Sequence, residues 1–116
     1  MSTESCPFCR IARGEEPARI VHRDDAVIAF HDRRPAAPTH ILVIPAKHLA
    51  SLEELRADDA GLLDQMIQVA REAAGREGAK TSGYRLVINT GENAGQTVFH
   101  LHMHLLAGRR MHWPPG

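Results

Sequence analysis

Residues 98–107 read Val98-Phe99-His100-Leu101-His102-Met103-His104-Leu105-Leu106-Ala107, and histidine alternates with an apolar residue through the middle of the run. Alternation of period two predicts a β-strand over 98–107. Successive strand side chains leave opposite faces, so His100, His102 and His104 share one side while Leu101, Met103 and Leu105 share the other. A merely solvated face would be served as well by Ser, Thr or Lys. One metal held by all three rings is disfavoured by length: the outer α-carbons lie roughly 13 Å apart, whereas zinc–nitrogen bonds are about 2.0 to 2.1 Å. The spacing favours divided labour, with one ring attacking, one donating hydrogen bonds or protons and one fixing the architecture. Imidazole suits this, because much of it is neutral at pH 7 and its second nitrogen can be oriented by a hydrogen bond.

Working outward, the preceding loop Asn89-Thr90-Gly91-Glu92-Asn93-Ala94-Gly95-Gln96-Thr97 combines glycines with the neutral donors Asn89, Gln96 and Thr97. Alone it reads as a flexible hairpin loop; directly before three histidines, with Gly91 and Gly95 allowing close backbone approach, it reads as an oxyanion or phosphate cradle. Residues 19–23, 26–31, 40–45 and 84–89 are further strand candidates. Cys6-Pro7-Phe8-Cys9-Arg10-Ile11-Ala12-Arg13-Gly14 predicts a short helix with Pro7 at its first position, Gly14 as its stop and Phe8, Ile11 and Ala12 as its buried stripe. Ser51-Leu52-Glu53-Glu54 has capping-box spacing, and Leu62, Leu63, Met66, Ile67, Ala70, Ala73 and Ala74 recur with helical period from Asp58 to about Gly75–Gly78. The expectation is one α+β domain over 1–116: an antiparallel sheet of about five strands, one main helix and a short N-terminal helix.

Length and charge narrow the function. A chain of 116 residues is the size of one domain. Fourteen basic and fourteen acidic residues give zero formal charge, which argues against a duplex nucleic-acid binder or a polybasic membrane module. The longest aliphatic run, Ile41-Leu42-Val43-Ile44, is far short of the roughly 20 apolar residues of a bilayer span. Residues 1–6 lack the basic start and apolar stretch of a secretory signal, so a reducing cytoplasmic location is expected, with no structural disulfide.

These residues resemble the histidine-triad (HIT) family, whose signature here is His100-Leu101-His102-Met103-His104-Leu105-Leu106. The approach Ala94-Gly95-Gln96-Thr97-Val98-Phe99 and the upstream blocks Phe30-His31-Asp32, Pro38-Thr39-His40-Ile41-Leu42-Val43-Ile44-Pro45 and Lys47-His48 are similar to the family's and stand in its order. The likeness runs from about Cys6 to the last residue, and Gly108-Arg109-Arg110-Met111-His112-Trp113-Pro114-Pro115-Gly116 resembles the ending of the Hint branch, the histidine-triad nucleotide-binding proteins. The resemblance implies a HIT-like fold and a homodimeric purine nucleoside phosphoramidase with no catalytic cofactor. His102 would be the nucleophile that forms a nucleotidyl-histidine, and His104 would contact the phosphate. Asn89, Gln96 and Thr97, with Gly95 between them in the loop, match positions holding phosphate or leaving group; His31 and Asp32 match positions beside the ribose, and Phe8 and Ile11 the base pocket. Relatives often carry Ser where Thr97 stands. His104, rather than Gln, resembles the hydrolases instead of the nucleotidyl transferases. Dinucleoside polyphosphates or adenylylated conjugates are the alternative substrates, and a nucleotide-binding scaffold or a histidine-metal enzyme the alternative classes.

Cys6-x-x-Cys9 has three readings. A redox pair would follow a strand, which is missing here; two small core residues are the second. In the third, the resemblance to bacterial-type relatives implies a structural zinc on Cys6, Cys9, His48 and His100, although the proteins most similar in their ending often lack the cysteines. His40 matches a family position behind the triad, as part of a hydrogen-bond relay, or is a satisfied core histidine. His22 has no motif around it and reads as a surface residue. Trp113, before two prolines, belongs to an extended tail; the resemblance places tail residues 108–116 at the dimer interface, with Trp113 and His112 reaching the partner's site.

Overall fold

The computed structural model describes residues 3–116; the part of the N-terminal reading that rests on residues 1 and 2 lies outside the described residues. In chain order the elements are α1 (Pro7–Ala12), β1 (Ile20–Arg23), β2 (Val27–His31), β3 (Thr39–Pro45), α2 (Leu62–Arg76), α3 (Ala79–Ser82), β4 (Tyr84–Val87) and β5 (Met103–Ala107). The strands form one antiparallel sheet in the order β1-β2-β3-β5-β4, which makes the seven-residue β3 its centre. The α+β expectation, with its main helix and short N-terminal helix, is met.

The strands divide their side chains between two apolar layers. Val27, Ala29, Ile41, Val43, Leu101, Met103 and Leu105 pack on one face against Met66, Val69, Ala70, Ala73 and Ala74 of α2. Ile28, Phe30, Leu42 and Ile44 pack on the other against Cys6, which caps α1, and Phe8, Cys9 and Ile11 of α1. Each fully buried aliphatic side chain contributes about 1.5–3 kcal/mol by leaving water, so β3, buried on both sides, anchors both layers.

The differences from the sequence reading have local causes. Ser51 caps only a single 3-10 turn, Leu52–Glu54, by accepting from Glu53 N–H, and Glu54 reaches back to Ala50 N–H. A second 3-10 turn, Ala57–Asp59, intervenes, and Gly61, at φ 85°, starts α2 in the left-handed region that glycine enters freely. Within α2, Ile67 is exposed and Val69 takes its place in the core. Ala12 is only half-buried at the end of α1.

Strand β5 begins at Met103 rather than at residue 98. Its register, Val43 opposite Met103 and Ile41 opposite Leu105, would set Pro45 against Leu101. Proline has no N–H to give the ladder, and Leu101 N–H turns to the Leu49 carbonyl instead. The alternation survives the loss of the strand: Leu101 stays in the α2 layer and the histidines stay on the other side.

Candidate active site

His102 is buried with one nitrogen committed and one free. Its Nδ1–H donates to the carbonyl of His100, two residues back, at 2.7 Å. That bond fixes the tautomer and leaves a lone pair on Nε2, which has no partner among the described residues. Burial lowers the pKa of the ring, against the opposing pull of the His100 carbonyl and the Asp32 charge, so the lone pair is available at neutral pH. The Phe8 ring meets the imidazole edge-on at 5.2 Å between centroids.

A chain of hydrogen bonds sets the next two rings. Ala36 N–H donates to His40 Nδ1 at 3.0 Å, and since an amide N–H only donates, neutral His40 carries its proton on Nε2. That proton is directed to His104 Nδ1 at 2.9 Å, so His104 presents an N–H at Nε2. Register makes the meeting possible: Leu42 lies opposite His104 and His40 opposite Leu106, which places the two histidines diagonally on one face. Burial holds His40 below the ordinary histidine value, with Asp32 opposing, and pushes His104 down to about 4, helped by His102 and His40. Two neutral rings are what the relay needs. Asp32 Oδ2 approaches His40 Nε2 at 3.5 Å, while Oδ1 accepts from Arg34 N–H. The His102 and His104 rings stand 5.0 Å apart, so one offers a lone pair beside the other's N–H.

His100 serves a separate cluster. Its Nε2–H donates to the Pro45 carbonyl at 2.9 Å, using the acceptor that stands where the ladder stops, and this turns the Nδ1 lone pair toward Cys6, Cys9 and His48. His100 Nδ1 is 3.4 Å from each cysteine sulfur and 3.2 Å from His48 Nδ1, and Cys9 Sγ is 3.1 Å from His48 Nδ1. Bond lengths of 2.0–2.1 Å to nitrogen and 2.3 Å to sulfur in a tetrahedron put N···N about 3.3 Å and S···N about 3.6 Å apart. The donor set therefore fits a metal such as zinc. Burial pushes His100 down to about 4, the neutral form a metal needs. Burial, then the hydrogen bond with Cys6, raises the Cys9 thiol to about 11, so its proton would leave only for a cation.

Beside the triad lies a cleft of about 1050 Å³. Phe8, Ile11, Phe30, Leu42 and Val98 make it apolar, and His31, Asp32 and Thr97 stand among its walls. Of the residues expected from sequence, Phe8, Ile11, His31, Asp32 and Thr97 meet there, and Phe8 and Asp32 join it to the histidines. Gln96 is buried with both ends of its amide engaged: Oε1 accepts from Gly91 N–H, and Nε2 donates to the carbonyls of Ala50 and Val98. It shapes the loop, which Gly95 closes at φ 87°; of the three donors expected from the sequence, Asn89 and Thr97 have side chains without a partner among the described residues, and Thr90 Oγ1 in the same loop is buried and unpartnered. Trp113 is 82% exposed and away from the cleft. His22, on β1, pairs with Asp24 at 2.6 Å. The sequence reading missed Ala36, whose role rests on a backbone N–H that no residue type announces. It also missed the charged rim of Glu16, Arg19, Arg33 and Arg34, which an Arg-Arg pair after Asp32 could have suggested.

The family profile described as "Scavenger mRNA decapping enzyme C-term binding" matches residues 5–112. A HIT-like protein of Synechococcus elongatus is 50% identical over 114 residues, covering 98% of this chain and 99% of its own. The chain belongs to the histidine-triad family. Also similar to this histidine-triad chain is the purine nucleoside phosphoramidase of Escherichia coli K12, 46% identical over 106 residues, 91% of this chain and 89% of that one. Among solved structures, a HIT family hydrolase from Legionella pneumophila Philadelphia 1 superposes with a TM-score of 0.93 at 49% identity, covering 97% of this chain and all of the other.

Proposed function

We propose that this histidine-triad protein hydrolyses purine nucleoside 5′-phosphoramidates, cleaving the P–N bond through a covalent nucleotidyl-histidine on His102. The observation that carries the reading is the free Nε2 of His102, held in one tautomer by the His100 carbonyl beside a cleft of nucleotide-accommodating size. The similarity to the E. coli phosphoramidase supports the substrate class.

In this reading the base lies against Phe8 and Ile11, the ribose beside His31 and Asp32, and the phosphate between Asn89, Thr97 and the triad. The Nε2 lone pair of His102 attacks the α-phosphorus while His104 Nε2–H stabilises charge on a phosphoryl oxygen; the leaving nitrogen takes a proton from solvent and departs as the amine, and water then adds to phosphorus, breaks the P–N bond to His102, gives a proton back to solvent and releases the monophosphate. His40 orients His104. Gln96 acts by holding the loop's shape. Cys6, Cys9, His48 and His100 would hold a structural zinc, with four protein ligands and so no position for an activated water; through it Cys9 of α1 would be tied to His100, beside His102.

The protein acts as a single-domain cytoplasmic homodimer, with no nucleic-acid or membrane partner. The open edge of β4 and the exposed Ile67 on α2 support self-association, and the tail with Trp113 would act at the partner's site. The test is incubation with an adenosine phosphoramidate, with mass spectrometry for adenylate on His102. His102→Asn should still bind AMP but lose turnover by about four orders of magnitude or more, as nucleophile removals do; near-normal turnover would end the assignment. Faster cleavage of a P–O–P than of a P–N substrate would favour the polyphosphate alternative.

A further inference from the structure

Among the described residues, one other group of ligating side chains converges: Asp32, His40 and His104, whose ligand atoms all lie within 4.8 Å of one another. Asp32 Oδ2 is 3.5 Å from His40 Nε2, and that nitrogen is 2.9 Å from His104 Nδ1. Three potential electron-pair donors thus share a single proton, the one on His40 Nε2. With both rings neutral, Asp32 is the one charged member of the group. A divalent ion with bonds of about 2.1 Å spaces adjacent ligands about 3.0 Å apart in an octahedron and about 3.4 Å in a tetrahedron. The two observed separations bracket that range. Two histidines and one carboxylate with further positions open are a donor set suited to divalent transition metals.

We propose that Asp32, His40 and His104 form a second site for a divalent transition metal, weaker than the four-ligand cluster, and that filling it inhibits the enzyme. Ligation through His40 Nε2 moves the ring proton to Nδ1, where it meets Ala36 N–H, so that hydrogen bond is lost. Ala36 is exposed and its N–H turns to water; the loss weakens the site without closing it. Three protein ligands against four, and a displaced hydrogen bond against none, set the order of filling. An ion there draws Asp32 out of the nucleotide cleft and replaces the hydrogen bond that orients His104. The inhibition rests on the proposed hydrolase reading; the binding does not.

The test is titration of the full chain, already holding one equivalent of zinc, with cobalt(II), followed by calorimetry and visible absorption. The expected result is a second equivalent per chain in the wild type, lost in both Asp32→Asn and His40→Gln and kept in Cys9→Ser. Retention of the first zinc by Asp32→Asn and His40→Gln shows that those variants are folded. Addition of AMP should weaken the second equivalent, and phosphoramidate turnover should fall as it fills. A wild type that stops at one equivalent, or a second equivalent that survives both Asp32→Asn and His40→Gln, overturns the site. A second equivalent that leaves turnover unchanged overturns the inhibition. A protein with no phosphoramidase activity at all would refute the hydrolase reading while the isotherm still decides the metal site.

Discussion

Replacing His40 by Phe keeps a buried ring of similar shape and deletes two hydrogen bonds, one of 3.0 Å from Ala36 N–H and one of 2.9 Å to His104 Nδ1. Each contributes about 1 kcal/mol net. Ala36 is exposed, so its N–H recovers water and costs little. His104 loses the donor that holds its proton at Nε2, and only this second loss is felt when charge develops on the phosphoryl oxygen. About 1–1.5 kcal/mol of lost transition-state stabilisation lowers kcat/KM about five- to twelvefold, at about 1.4 kcal/mol per factor of ten. Steady-state hydrolysis of an adenosine phosphoramidate, compared for wild type, His40→Phe and His102→Asn, gives the measure, with adduct formation on His102 persisting in His40→Phe. A loss as deep as that of His102→Asn would put His40 in the chemistry itself. Unchanged kcat/KM would mean that the His40–His104 bond orients nothing.

Three further outcomes are expected. Cys9→Ser should lose about one equivalent of zinc and unfold at lower temperature, read by metal analysis and thermal denaturation; full metal content would remove Cys9 from the ligand set. Because His104 titrates at about 4 in the fold and near 6.5 when unfolded, the unfolded chain binds the extra proton first. Stability is then complete above about pH 6.5 and falls as pH drops toward 4, with a shallower slope in His104→Asn; urea unfolding at several pH values showing equal slopes would contradict this. Deleting residues 110–116 removes an exposed Trp113 and the bond from Arg85 Nη2 to the His112 carbonyl, so preference among leaving amines should shift more than stability; unchanged preference would refute a role for the tail in the partner's site.

The strands and α2 were legible because burial writes a period into the sequence. Ile41-Leu42-Val43-Ile44 announces a strand covered on both faces, and Met66, Ala70, Ala73 and Ala74 announce a helix covered on one. The start of β5 was not legible, since alternation records which side a residue faces and not whether its backbone finds a ladder partner; Pro45, far from Leu101 along the chain, decides that. The histidines and cysteines showed where chemistry gathers because few structural roles ask for them. The tautomers were hidden, as they depend on carbonyls and amides at His100, Pro45 and Ala36 that every residue type possesses. Gln96 illustrates the limit from the other side: a donor-bearing side chain in the right loop spends its amide on backbone.

His100 joins two regions of the molecule through three atoms: Nδ1 toward the thiols, Nε2 on Pro45 and its own carbonyl on the ring that attacks. A descendant of this chain that dropped Cys6 and Cys9 would need some other group to satisfy that inward nitrogen. Without one, the residue would pivot and carry its carbonyl with it, and damage at the base of the N-terminal helix would surface as a slower reaction before it surfaced as a less stable protein.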